Sequence, residues 1–155
     1  MKSIIVSIHI AGSAMEPMSS IGDIQAIAGR GLEGDRYFHG TGTYSNEPGS
    51  GREITLIEIE AIEALSRDYR TELDPAQTRR NLVTRGIALN HLVGHEFNVG
   101  DVLLRGTRLC EPCSHLEKLT TRGVARGLIH RGGLRAEIVS GGWIRVGAEI
   151  WPKGK

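Results

Sequence analysis

The chain is poor in aromatic residues, proline and cysteine. Of its 155 residues 5% are Phe, Trp or Tyr, so a core within the 39% hydrophobic share must be built from Ile, Val, Leu and Ala. Five prolines exclude a proline-rich linker, and 21 glycines without a three-residue period exclude collagen. Two cysteines cannot make a disulfide framework, and without an export pattern at the N-terminus they point to chemistry. No apolar run approaches the ~18 residues of a membrane span. A formal charge of +1 gives no global reason to expect nucleic acid or membrane as a partner. The expectation is one domain over residues 1–155, located in the cytoplasm.

Glycine must therefore punctuate folded structure. Ile4, Val6, Ile8 and Ile10 alternate as in a strand, and residues 21–28 read as extended. Residues 29–51 form a dense turn region. A strand at 53–57 gives way to helical spacing at Ile59, Ile62, Ala64, Leu65 and Tyr69. Short strands follow at 81–86, 97–99 and 102–104, the last two around a Gly100-Asp101 turn, and 107–110 continues the sheet after Gly106. Residues 114–129 have helical spacing with a break at Gly123. Two alternating runs flank Ser140-Gly141-Gly142, which predicts a hairpin, and 149–151 closes the pattern. Many short strands with two or three inserted helices predict a mostly β barrel rather than a parallel α/β sheet.

Charge is segregated although its sum is near zero. Acidic side chains dominate residues 53–74 and suit a solvated helix face. Residues 79–135 hold nine arginines and one lysine, and arginine grips phosphate or carboxylate bidentately. An anionic ligand follows as an expectation.

Three constellations could carry chemistry. Cys110-Glu111-Pro112-Cys113 precedes a helical pattern, where a helix N-terminus favours a thiolate. This pair suits a redox couple, two buried thiols, or half of a zinc site completed by His91 and His95. Gly31-Leu32-Glu33-Gly34-Asp35-Arg36 places charges in a tight turn whose backbone N–H groups can face an anion. The third is Thr78-Arg79-Arg80-Asn81, in which adjacent arginines entering a strand point to opposite faces, so that one can reach a ligand while the other stays on the outside.

Taken together, Gly-Leu-Glu-Gly-Asp-Arg at 31–36, Arg-Arg-Asn-Leu-Val-Thr-Arg-Gly at 79–86 and Cys-Glu-Pro-Cys-Ser-His-Leu at 110–116 resemble the MOSC domains, named for the C-terminal part of molybdenum cofactor sulfurase. Residues 131–139 and 144–147 also resemble that family's last hairpin. The resemblance implies a stand-alone MOSC-type β-barrel that binds a molybdenum-pterin cofactor or carries sulfur for it. It implies Cys113 as the catalytic residue and molybdenum ligand, since Cys113 fits the family pattern Pro-Cys-x-x-Leu. Arg79, Arg80 and Asn81 match its cofactor-binding element, followed by Arg36, Asp35 and His115.

Unlike cofactor sulfurases, the chain has no pyridoxal-phosphate desulfurase region, and it has no flavin, haem or iron–sulfur pattern. Three functions stay open. The first is the catalytic unit of an oxidoreductase that reduces N-hydroxylated or related N–O small molecules with a separate electron-donor protein. The second is a sulfur carrier that holds a persulfide on Cys113 for a cysteine desulfurase partner. The third is a zinc-stabilised binding module using His91, His95, Cys110 and Cys113.

Overall fold

A computed structural model describes residues 2–13, 15–39, 53–70, 72–110 and 132–153. The fold is mostly β. In chain order the elements are β1 (Ile4–Ile10), β2 (Ser19–Ile21), β3 (Asp23–Ile27), β4 (Gly31–Leu32), α1 (Arg36–His39), β5 (Ile54–Glu58), α2 (Ile59–Tyr69), β6 (Leu82–Arg85), β7 (Glu96–Val99), β8 (Val102–Leu109), β9 (Leu134–Ser140), β10 (Gly142–Arg145) and β11 (Ile150–Pro152). Short 3-10 turns occupy Pro75–Thr78 and Leu89–Leu92. The helices expected between 114 and 129 lie outside the described residues. So does most of the turn region 29–51.

Eight strands pair in the order β11-β7-β8-β9-β5-β6-β1-β2, and β10-β3-β4 form a smaller sheet. The ladder is not a closed barrel. What brings its ends together is an isolated bridge between Ile4 and Glu149, flanked by bonds from Ile5 N–H to Ala148 O and from Ile150 N–H to Ser3 O. Ile, Leu and Val side chains from both sheets share one core, and a register shift between Ile5 and Ser7 breaks the alternation expected for β1. Ile5, Ile8, Leu56, Leu82, Phe97, Leu104 and Leu134 are fully buried in this main core.

One pair in the large sheet is parallel, β5 with β6, which requires a crossover connection. That crossover is α2, whose apolar stripe of Ala61, Ile62 and Leu65 packs with Ile57 and Val83 as a second cluster on the outer face. The helix ends at Arg70, which takes a left-handed conformation with φ 52° and returns its N–H to Leu65 O.

The Gly100-Asp101 hairpin forms as expected, with Val99 opposite Val102. The glycines at 106 and 141–142 do something else. Gly141-Gly142 does not turn a hairpin. It carries the chain from β9 in the large sheet to β10, which pairs with β3. The backbone passes so close to β3 that a Cβ on Gly141 would lie 2.4 Å from the Ala26 carbonyl oxygen. Gly106, expected as a break between strands, lies inside β8 at an irregular register, where a Cβ would lie 2.2 Å from Leu92 O.

Gly133 is the tightest of these crossings. Its φ is +110° and a Cβ would lie 2.0 Å from Leu56 O, a backbone atom that cannot swing away. Gly133→Ala should therefore cost roughly 3 kcal/mol, combining backbone strain with overpacking, whereas Gly22→Ala, with open space around it, should be near neutral. Urea denaturation of both variants checks this, and equal midpoints would contradict it.

Candidate functional site

β5 and β6 run in parallel, and β1 runs antiparallel to β6. The starts of β5 and β6 therefore lie beside the end of β1. The end of β8 and the start of β9 are tied to the start of β6 by Arg80, which donates to Cys110 O and Gly132 O. Residues 35–36 and 79–81, distant in sequence, meet there.

Asn81 fastens the rim. Its Oδ1 accepts from the Thr55 N–H at 3.0 Å and the Thr55 hydroxyl at 3.2 Å, and its Nδ2 donates to His9 O at 3.1 Å. One fully buried amide thus ties β1, β5 and the start of β6. This is a structural duty at a position for which the family resemblance implies cofactor binding.

Asp35 is also fully buried. It accepts from the Ala11 N–H at 3.1 Å, from Arg36 Nη1 at 3.1 Å and from the Tyr37 N–H at 3.4 Å. Arg36 then reaches across to Arg79 O with Nη2 at 2.9 Å, touches the Met18 sulfur with Nη1, and lies over the Tyr37 ring at 4.7 Å. Gly31 and Gly34 shape this turn for packing. A Cβ on Gly31 would lie 2.9 Å from Glu53 O, so the missing side chain admits neighbouring backbone.

Arg79 takes a left-handed conformation, φ 64°, as the chain leaves the 3-10 turn. That geometry sends its side chain toward loop 13–16, where its guanidinium donates to the carbonyls of Glu16 and Ser13. Burial and the nearby Arg36 charge pull its pKa below the ordinary arginine value, against Asp35, Tyr37 and Glu16. Arg80 diverges toward Gly132 and Cys110, and its Nε donates to Gly132 O at 2.7 Å. The expectation that one of the two arginines stays outside is corrected: both are buried, and the left-handed turn at Arg79 separates them sideways. Arg135, opposite Thr55, is a fourth buried guanidinium close by. Asp35 is the Asp or Glu buried with them among the described residues.

Next to Arg79 lies a half-open pocket of about 290 Å³, bounded by Met15–Met18 on one side and by Asp74, Ala76 and Gln77 on the other. Asp74 and Gln77 form a capping box that fixes that second wall.

Cys110 follows β8, buried and outside any disulfide, its N–H donating to Gly133 O at 2.7 Å. Cys113 and His115 lie outside the described residues. The zinc set is not assembled: no three His, Cys, Asp or Glu side chains cluster for a metal among the described residues, which include His91, His95 and Cys110. Gly106 bonds to His95 O, and Cys110 lies four residues further along the strand, roughly 13 Å at ordinary strand rise. His91 and His95 instead line a separate pocket of about 330 Å³ with Ile87, Leu92 and Lys153.

Sequence reasoning missed His9. It reads as an ordinary polar position in an alternating strand, but the structure buries it with Nε2 2.8 Å from the Ser7 hydroxyl and Nδ1 3.0 Å from the Ser20 hydroxyl. Burial lowers its pKa from the ordinary 6.5, with the Asp74 charge opposing.

These features define a β-rich domain that concentrates buried arginine at one rim. The family model for the MOSC domain matches residues 38–151, and the chain belongs to the MOSC domain family. The fold is similar to that of the YUAD protein from Bacillus subtilis, with a TM-score of 0.80, 16% identity, and coverage of 97% of this chain and 94% of that one. YiiM from Geobacillus stearothermophilus matches with a TM-score of 0.73 and 14% identity over 97% of this chain and 74% of that one. YiiM from Escherichia coli matches with a TM-score of 0.71 and 16% identity over 100% of this chain and 71% of that one. No curated protein matches the sequence. No helix among the described residues is long and apolar enough to cross a membrane.

The His9 environment generates a pH prediction. The unfolded imidazole titrates near 6.5 and the folded one lower, so between those values the unfolded chain holds more protons. His9 therefore contributes stability above pH 6.5 that is lost as pH falls through the folded pKa. Urea midpoints between pH 5 and 8 should show this fall in the parent and a shallower one in His9→Gln. Parallel profiles would contradict it.

Proposed function

We propose that the rim binds a molybdenum-pterin cofactor and that the protein is the catalytic unit of a reductase for N-hydroxylated or related N–O small molecules. The observation that carries this reading is the burial of Arg36, Arg79 and Arg80 at one rim, with Arg80 bonded to the carbonyl of Cys110, three residues before Cys113 in sequence. Membership in a family associated with molybdenum cofactor binding supports it.

The donor chemistry of the rim fits such a group. Guanidinium forks match phosphate oxygens, and the carbonyl anchors of Arg36, Arg79 and Arg80 set the planes of those forks in advance. Arg36, Arg79 and Arg80 are assigned to the pterin phosphate, with Asp35 and Asn81 holding the arginines and their strands in place. Cys113 is assigned as the protein ligand to molybdenum, because a soft thiolate suits that metal, and His115 is placed beside it by sequence.

When bound, the cofactor supplies two-electron chemistry at the metal. Reducing an N–OH group to N–H consumes two electrons and two protons and releases water, so a separate donor protein must supply the electrons. The pocket between Met15–Met18 and Asp74–Gln77 adjoins Arg79 and is the space assigned to the small-molecule substrate.

Protein produced with intact cofactor biosynthesis should contain close to one molybdenum per chain by elemental analysis. Cys113→Ser should lose the metal, and Arg79→Gln should lower occupancy about tenfold, as expected for one charge-assisted phosphate contact. Metal-free parent protein, or full occupancy in both variants, would contradict the assignment.

A further inference from the structure

His9 holds a serine hydroxyl at each ring nitrogen. Nε2 lies 2.8 Å from the Ser7 Oγ, and Nδ1 lies 3.0 Å from the Ser20 Oγ. Strand geometry brings the three together: Ser7 and His9 are two residues apart in β1, and His9 stands directly opposite Ser20 in the β1–β2 ladder. The imidazole sits on a fixed support. The backbone N–H of His9 donates to Asn81 O at 2.7 Å, its carbonyl accepts from Asn81 Nδ2 at 3.1 Å, and the residue is buried.

A neutral imidazole has one N–H and one bare nitrogen, so it donates to one of these serines and accepts from the other. Burial favours the neutral ring, while the Asp74 charge favours the imidazolium that forms when the ring takes up a proton. The two hydroxyls differ in access. Ser20 is exposed on β2, the last strand in the order of the large sheet, whereas Ser7 is half-buried in β1 between β2 and β6. A substrate arriving from solvent therefore meets Ser20 first. A nucleophile within hydrogen-bond reach of a base that a third group orients is the arrangement used for covalent acyl transfer.

We propose that Ser20 is a nucleophile for acyl transfer from an activated ester, with His9 as its base and Ser7 as the positioning residue that accepts from Nε2–H. The Ser20 Oγ bonds to the acyl carbon as its proton passes to His9 Nδ1. The bond from that carbon to the leaving oxygen then breaks, and the leaving oxygen takes the proton from Nδ1. Water repeats the sequence, releasing the acid and restoring the serine hydroxyl. The site uses neither Cys113 nor a cofactor, so it stands or falls independently of the molybdenum assignment.

The full chain as purified would be treated with a fluorophosphonate, which the Ser20 Oγ attacks at phosphorus with loss of fluoride to leave an adduct that does not turn over. Labelling would be timed by peptide mass spectrometry with fragment ions that separate Ser19 from Ser20. Ser20 should be labelled about a hundredfold faster than the adjacent exposed Ser19, the low end of what a positioned general base contributes. His9→Gln should bring Ser20 down to the Ser19 rate. Ser7→Ala should slow Ser20 roughly fivefold, the factor for one neutral hydrogen bond, and Ser7→Thr, which keeps a hydroxyl, should recover the parental rate. Equal labelling of Ser19 and Ser20 in the parent would overturn the proposal, and so would label on Ser7 in place of Ser20. Parental labelling of Ser20 in His9→Gln would remove His9 as the base, and equal rates in Ser7→Ala and Ser7→Thr would remove Ser7 from its role. The comparison of the two serines in the parent needs no variant, so it decides the matter even where His9→Gln folds poorly.

Discussion

The architecture depends on one buried amide. Asn81 satisfies the Thr55 N–H and hydroxyl and the His9 carbonyl, so three strands that start or end at the rim are held in one register. An amide in this position is worth more than its bonds taken singly, since removing it would strand several buried polar groups at once. The arginines to its N-terminal side inherit their placement. With Asn81 locked and Arg79 turned left-handed, Arg79 must project toward loop 13–16 and Arg80 toward the end of β8.

Concentrating guanidinium groups in a low-dielectric rim is costly unless each is well bonded. The protein meets this with backbone oxygens. Arg36 uses the carbonyl of Arg79, Arg79 those of Glu16 and Ser13, and Arg80 that of Gly132, so the side chains are oriented by neutral partners. Arg36 has the buried carboxylate of Asp35 beside it, and the charge of Asp35 also acts on Arg79. Neutral anchors orient a cation without cancelling its charge, which suits a site for an anion. The methionine-walled pocket beside Arg79 places a less polar volume next to it.

Much of the fold is legible in local sequence. The alternation of β1, the helical stripe of α2 and the Gly100-Asp101 hairpin each depend on neighbours in the chain, and the matching elements form. The features that are not legible are contacts between distant segments. Gly106, Gly133 and Gly141 lack side chains because the carbonyls of Leu92, Leu56 and Ala26 pass beside them, and no local pattern encodes that. His9 escaped notice for a related reason: its imidazole is held in part by Ser20 of the neighbouring strand β2. At the site, the motifs marked arginines and an aspartate that the structure buries, but not that Asn81 is a strand tie or that His91 and His95 line a pocket away from Cys110. The approach of the two sides of the ladder likewise rests on backbone contacts of residues 3–5 with residues 147–150 that periodicity cannot reveal.

The central claim is that this rim is where a molybdenum-pterin group is held. Anomalous diffraction at the molybdenum absorption edge, from crystals of protein produced with the cofactor, tests it most directly. The account predicts one peak at bonding distance from the Cys113 sulfur, with a phosphate against Arg36 and Arg79. A peak elsewhere, such as in the pocket beside His91 and His95, or a phosphate remote from these arginines, would contradict it.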